Sequence, residues 1–292
     1  MGEIPQDWPR REHSHLIRCR PHEWHVQIFG DGPDLLLLHG AGASSHSFHQ
    51  LAAYLPGYRL IIPDLPGQGL SRAGGMLRLG LDAMADDLTA LCEDQGWWPR
   101  AIIGHSAGAA IALRLAEIMP RSPGALVGIN AALGPFDGFA GWLFPKLAKA
   151  MSTSPFVAAI VTRLSSQHAQ VARLLASTGS PLDAEGVAAY HRLVSRISHV
   201  EGTLGMMAQW QLEPLLERVP RITVPTLLIA STQDRAVPAQ VSARAAERLP
   251  RGRYAEIAGR GHLVHEEAPQ AVAALILPWL AAHRDPIALM SD

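Results

Sequence analysis

The sequence predicts an α/β protein: a mostly parallel central sheet covered by helices on both faces, with a helical cap inserted into it. Three observations carry this. Short apolar runs of strand length alternate with helical periods along most of the chain. Several of the runs are continuous, such as "LLLLHG" over 35–40, as befits strands buried on both faces. The alternation then stops between residues 133 and 220, where amphipathic helical patterns take its place.

In chain order, strands are expected at 24–29, 35–40, 59–64, 101–105, 125–130, 226–231 and 253–259. Between the third and fourth, Leu81, Met84, Leu88, Leu91 and Cys92 recur at three- and four-residue spacing and make one apolar helical face. The run "AGAAIALRLAEIM" after Ser106 is helical, with a small first turn that lets it sit close to the sheet and with Pro120 and Pro123 to end it. In the interrupted region three stripes are expected to be helical: Leu143, Leu147, Ala150 and Met151; Phe156, Ile160, Val161 and Leu164; and Val187, Tyr190, Val194 and Ile197. Prolines 135, 145, 155, 181 and 214 punctuate them. The division is therefore a first core segment over 1–132, a cap over 133–220 and a second core segment over 221–292. "AVAALILPWLAA" near the carboxyl end is too short for a membrane span and reads as a core-facing helix.

Composition narrows the function. Twenty-five basic residues stand against 26 acidic ones, with no basic run to follow a phosphate backbone, so nucleic acid is not an expected partner. Two cysteines, Cys19 and Cys92, give no disulfide framework and fit a cytoplasmic protein. The first residues place charge and proline where a signal peptide needs an apolar region.

The chemistry lies at the turns. Gly104-His105-Ser106-Ala107-Gly108 joins a buried strand to a helix and has the G-x-S-x-G form of a nucleophile elbow. The glycines are required because the turn strains its serine and brings strand and helix too close for side chains. A serine hydroxyl needs a base and a carboxylate that orients the base, in the chain order Ser, Asp, His on such a sheet. Asp234, just past one strand, and His262, just past the next, meet that order at the edge where ligands bind. Upstream, "LLLLHGAGAS" makes a loop whose Ala41 N–H, with that of Ala107, is placed to receive an oxyanion. His265 is the competing base, and Asp137 or a position near Asn130 the competing acid. His39 and His105 are read as structural supports.

His13, His15, Cys19, His22 and His25 match no tight zinc spacing, so neither a metal nor a cofactor is expected. Met206, Met207 and Trp210 are read as pocket or core packing within the cap; the apolar stripes of the cap argue for an apolar or amphipathic substrate, with shallow membrane contact near Trp142, Phe144, Lys146 and Lys149 as the alternative.

"HGAGAS", "DLPGQGLS", "GHSAGAAIAL", "STQDRAVP" and "GRGHLVHEEAP" fall in the order of the α/β-hydrolase superfamily, which the chain resembles over nearly its whole length. More narrowly, "WHVQIFGDGPDLLLLHGAGASSHSF", "IIPDLPGQGLS" and "GHSAGAAIALRLA" resemble the BchO family of bacteriochlorophyll gene clusters, described as magnesium-chelatase accessory proteins. The chain departs from that family at Ala41, where threonine is usual, and at Phe48, where tryptophan is. The superfamily resemblance implies Ser106 as nucleophile, His262 as base, Asp234 as orienting acid, and Ala41 and Ala107 as oxyanion donors. It implies a serine hydrolase acting on an ester or other acyl bond of an apolar or amphipathic small molecule. The narrower resemblance implies a tetrapyrrole setting and association with magnesium chelatase; the alternative is a non-enzymatic porphyrin-binding or chelatase-assisting protein on the same fold. A perhydrolase or lyase would use the same three residues. Epoxide hydrolases and haloalkane dehalogenases resemble the chain but carry a carboxylate in place of Ser106.

Overall fold

The structure is a computed structural model, and it describes residues 4–134, 162 and 167–283. Its frame is one eight-stranded sheet: β1 (Ser14–Cys19), β2 (His22–Phe29), β3 (Asp34–Leu38), β4 (Arg59–Pro63), β5 (Ala101–His105), β6 (Ala125–Ile129), β7 (Thr226–Ser231) and β8 (Gly252–Ile257). The order across the sheet is β1-β2-β4-β3-β5-β6-β7-β8. β1 with β2 and β2 with β4 are antiparallel, and every other pair is parallel. The predicted strands are thus present as β2–β8: β5 and β7 have the predicted ends, and the others differ by no more than two residues at either end.

The helices are α1 (His49–Ala52), α2 (Leu81–Gln95), α3 (Ala107–Ile118), α4 (His168–Ser177), α5 (Ala184–Val194), α6 (Ile197–Ala208), α7 (Glu213–Arg218), α8 (Ala239–Arg248), α9 (Val264–Glu267) and α10 (Pro269–Ala282). Because successive strand residues point to opposite faces, the "LLLL" run of β3 divides between two cores. Leu36 and Leu38 join Met84, Leu88, Ile111 and Leu115 of α2 and α3, with Ala245 and Ala246 of α8. Leu35 and Leu37 join Leu51 of α1 and Val272, Ile276 and Leu280 of α10 on the other side. A sheet covered in this way buries its strands on both faces, which is why they read as unbroken apolar runs. The helical face predicted from Leu81 to Cys92 is wholly buried in the first of these cores, and α10 runs through Pro278 with its Val272–Leu280 side inward.

Helices α4 to α7 all lie between β6 and β7 in the chain. The stripe predicted from Val187 to Ile197 is corrected by the structure: α5 ends at Val194 and α6 starts at Ile197, which is 48% exposed, while Leu193 takes the buried place. Asp183 caps α5 by accepting the Gly186 N–H, so the boundary at its start is local chemistry. The stripes over 143–151 and 156–164 lie outside the described residues, as do Asp137 and the Trp142–Lys149 surface. A third apolar cluster joins Trp8 near the amino end, Val171 and Leu175 of α4, Val187, Tyr190 and Leu193 of α5, and Ala43 and Leu263 of the core.

The turn from β5 into α3 brings backbone against backbone. A Cβ at Gly108 would lie 2.1 Å from the Leu38 carbonyl oxygen, and one at Gly104 would lie 2.4 Å from that of Gly108. Backbone cannot move aside as a side-chain tip can. Gly108→Ala is therefore expected to lower unfolding free energy by about 1–3 kcal/mol, read by chemical denaturation. Gly75→Ala, where a Cβ meets nothing within 4 Å, is expected to stay within about 0.5 kcal/mol of the parent.

Candidate active site

Ser106 sits where that turn is tightest. Its backbone has φ 52° and ψ −117°, a region that side-chain-bearing residues rarely enter and that costs about 1–3 kcal/mol. The surrounding network holds it there: Ser106 N–H donates to the Ile129 carbonyl at 2.9 Å, and the Ser106 carbonyl accepts from Ala109 and Ala132 N–H, each at 3.1 Å. The elbow expected from the two glycines is what the backbone forms, and the glycines have the steric reason the sequence suggested.

The register of the parallel strands lines their carboxyl ends along one edge. Ser106 follows β5, Asn130 follows β6, Asp234 lies on the loop after β7 and His262 on the loop after β8. Asp234 and His262 are brought together. His262 Nδ1 donates to Asp234 Oδ2 at 2.7 Å, and Asp234 Oδ1 accepts the N–H groups of Ala236 and Val237, both at 2.8 Å. Both oxygens of a fully buried carboxylate are satisfied, so the ring has one orientation to take. That donation leaves His262 Nε2 as the free ring nitrogen. His262 lies against the elbow: His105 Nε2 donates to its carbonyl at 2.9 Å, and the two rings are 4.7 Å apart. Among the described residues Ser106 Oγ makes no hydrogen bond to His262; such contacts are often loose until substrate closes the site.

The loop after β3 completes the edge. A Cβ on Gly40 would meet the His105 ring at 2.9 Å and Ser106 Cβ at 3.1 Å, so Gly40 and Ala41 pass directly beside the serine. Ala107 is the first residue of α3, and its N–H, like those of any first helical turn, has no intrahelical carbonyl to meet. His39 does not face this space. Its Nε2 accepts the Leu65 N–H at 2.9 Å and its Nδ1 donates to the Gly40 carbonyl at 2.7 Å, the structural role expected for it. Gln68 from "DLPGQGLS" anchors the same loop, accepting the Gly42 N–H at 2.7 Å while its amide donates to Met206 Sδ of α6 at 3.1 Å. Met206 is thereby core packing with one polar contact, not an open wall.

Segments from the β6–β7 connection grip both site loops. The Thr178 carbonyl accepts the N–H groups of Arg235 at 3.1 Å and His262 at 3.3 Å. Ser180 Oγ donates to Glu267 and accepts the Leu263 N–H at 2.8 Å. The motif search missed these contacts, because a threonine carbonyl and a lone serine carry no spacing signal.

His265, the competing base, is fully buried behind the elbow's His105. Its ring packs 4.2 Å from His105 and 5.2 Å from Phe48, and burial with the neighbouring His262 pushes it down to about 3. A fully buried imidazole held neutral fits core packing, and it is His262 that meets Asp234. Burial likewise lowers His105, and His265 adds to the effect. The histidines near the amino end are engaged in structural contacts: His22 accepts the Gly74 N–H and donates to Asp87 Oδ2 at 2.8 Å, and His25 contacts Asp64 Oδ2 at 2.7 Å. Burial alone would raise the Asp64 carboxyl, but His25 and the Leu70 N–H outweigh it and hold the group well below the usual carboxylate range.

With this geometry in view, comparison with known proteins fixes the class. The family model described as alpha/beta hydrolase fold matches residues 33–269, and the chain belongs to that family. It is 48% identical over 280 residues to the magnesium-chelatase 30 kDa subunit of Rhodobacter capsulatus, covering 95% of this chain and 98% of that one. It is 31% identical over 252 residues to the pimeloyl-(acyl-carrier protein) methyl ester esterase of Xanthomonas oryzae pv. oryzae strain MAFF 311018, covering 82% and 91%. The haloalkane dehalogenase DbeA of Bradyrhizobium elkani USDA94 shares the fold, with a TM-score of 0.73, 22% identity and coverage of 93% and 98%.

One titration beside the site has a measurable consequence. Burial, with Glu267 and Asp183 nearby, pushes the Glu266 carboxyl up to about 8, against the opposing effect of the Tyr190 hydroxyl that donates to it at 2.7 Å. An unfolded glutamate ionises near ~4.3, so between these values the folded chain holds more protons than the unfolded one. Stability from this group is complete at low pH and is lost as pH rises through about 8. Glu266→Gln, which stays neutral, is expected to be more stable relative to the parent at about pH 8.5 than at about pH 5, read from urea unfolding at both.

Proposed function

We propose that this protein is a cofactor-independent serine hydrolase that cleaves an ester or other acyl bond of an apolar or amphipathic small molecule. The observation that carries the reading is the strained Ser106 at the start of α3, with the Asp234–His262 pair on the adjacent loops. In this reading Ser106 Oγ attacks the substrate carbonyl carbon and its proton passes to His262 Nε2. The imidazolium so formed keeps its Nδ1–H on Asp234, which stabilises the charge. The carbonyl oxygen, now carrying the electron pair, takes the N–H groups of Ala41 and Ala107. Collapse expels the alkoxide, which receives the proton from His262, and water deprotonated by His262 then releases the acyl group and restores Ser106.

The division into a core over 1–132 and 221–292 and a cap over 133–220 belongs to the same proposal. It is supported by the contacts of Thr178 and Ser180 with both site loops and by Met206 beneath the loop after β3. A setting in tetrapyrrole metabolism, in association with magnesium chelatase and with a tetrapyrrole as candidate substrate, is supported by the 48% identity to the chelatase subunit. A second reading, a non-enzymatic porphyrin-binding or chelatase-assisting protein, draws on that same relative.

Chromogenic esters of graded acyl length separate the two. The hydrolase reading expects turnover that falls roughly 10⁶-fold in Ser106→Ala and roughly 10⁴-fold in Asp234→Asn. Well-folded protein that binds a porphyrin but turns over no ester, or Ser106→Ala with unchanged turnover, would reject it.

A further inference from the structure

Asn130, at the carboxyl end of β6, has no role in the scheme above, yet its surroundings are unusual. With Arg10 and Ser106 it is one of three described non-glycine residues at positive φ, here 47°. Asparagine tolerates that conformation better than most residues. It is 1% exposed, and its amide is fully used. Oδ1 accepts the Ser231 N–H at 2.8 Å, which ties β6 to the end of β7. Nδ2 faces three oxygens: Ser231 Oγ at 3.2 Å, the Gly261 carbonyl at 3.1 Å and the His262 carbonyl at 2.8 Å. The His262 carbonyl receives a second donor, His105 Nε2 at 2.9 Å. Two fixed donors thus occupy both acceptor positions of a single carbonyl.

The pattern is selective in its chemistry. Where Nδ2 sits, only a donor fits: a carboxylate oxygen in that place would face two carbonyls in a buried setting and be repelled. This explains why the candidate acid position near Asn130 does not carry an acid, and it gives the amide a task that an acid cannot perform. Asp234 fixes the His262 ring through Nδ1, but a ring held at one end still moves with its own backbone. We propose that Asn130, assisted by His105, is a positioning residue that locks the backbone of His262 and so sets where Nε2 stands relative to Ser106. The proposal rests on the reading of His262 as the base. It couples three strand ends through one side chain: β6 through Asn130 itself, β7 through Ser231, and the loop after β8 through Gly261 and His262.

Asn130→Asp tests this in the full chain, since it keeps the acceptor for the Ser231 N–H and removes the donor. Two readouts are taken: the second-order rate at which a fluorophosphonate modifies Ser106, and the downfield proton resonance of His262 Nδ1–H, assigned by its loss in His262→Ala. The expected result is labelling slowed by roughly 10–100-fold, with a shifted or broadened resonance in protein whose circular dichroism is that of the parent. A folded variant with the parent's rate and resonance overturns the proposal, as does one that only melts earlier. If Asn130→Asp does not fold, His105→Phe removes the other donor from the same carbonyl and is expected to shift both readouts in the same direction; parental values there overturn the proposal equally. Failure of the parent chain to label at all would reject the hydrolase reading, and the resonance alone then decides whether Asn130 positions His262.

Discussion

The contact between the first turn of α3 and the ends of β3 and β5 is the constraint on which the candidate site depends. Glycine at 104 and 108 lets backbone meet backbone at distances no side chain would allow. That approach forces Ser106 into its strained conformation and turns the first N–H groups of α3 toward the same space. The strain is borne by the large buried cores on either side of the sheet, which are formed by the alternating residues of the central strands. Without the two glycines the serine would be one more polar residue at a strand end.

Around that turn the site is assembled from main-chain hydrogen bonds more than from charged pairs. Each loop that contributes a side chain is held by another loop or by the β6–β7 connection. Gln68 holds the loop carrying Ala41, Thr178 holds the loops of both Asp234 and His262, and Asn130 spans from β6 to the last two. Geometry fixed in this way tolerates surface change but not the loss of a buried donor or acceptor, because the partner left behind is unpaired in a dry setting. Amphipathic helices packed over the same edge, joined to Trp8 and to Leu263 beside His262, give an apolar shell next to the polar centre. A shell of that kind is consistent with the proposed acyl substrate carrying apolar bulk.

Much of this was legible in the sequence, for physical reasons. β2 through β7 announce themselves because strands largely buried in the sheet leave little freedom in side-chain choice, whereas β8 was read although it is an edge strand with no fully buried residue; the elbow announces itself because few residues other than glycine satisfy it. β1 was not foreseen: it pairs with only one neighbour at the sheet edge and none of its residues is fully buried, so its pattern is weak. The stripe from Val187 to Ile197 read as a single helix because the apolar spacing continues by chance across the break at Arg196. Gln68, Thr178 and Ser180 were not identified as parts of the site, and the neighbourhood of Asn130 was considered only for a competing acid. Their contribution depends on which loops the fold brings together, and no spacing along the chain encodes that.

The proposed chemistry requires the fold to activate one serine among the many in the chain. The most direct measurement is the site of covalent attachment after reaction of the native protein with a fluorophosphonate, found by intact mass and peptide mapping. A single adduct on Ser106, lost on prior unfolding and in His262→Ala, is expected. A folded protein that takes up no reagent, or takes it up at a different residue, would contradict it.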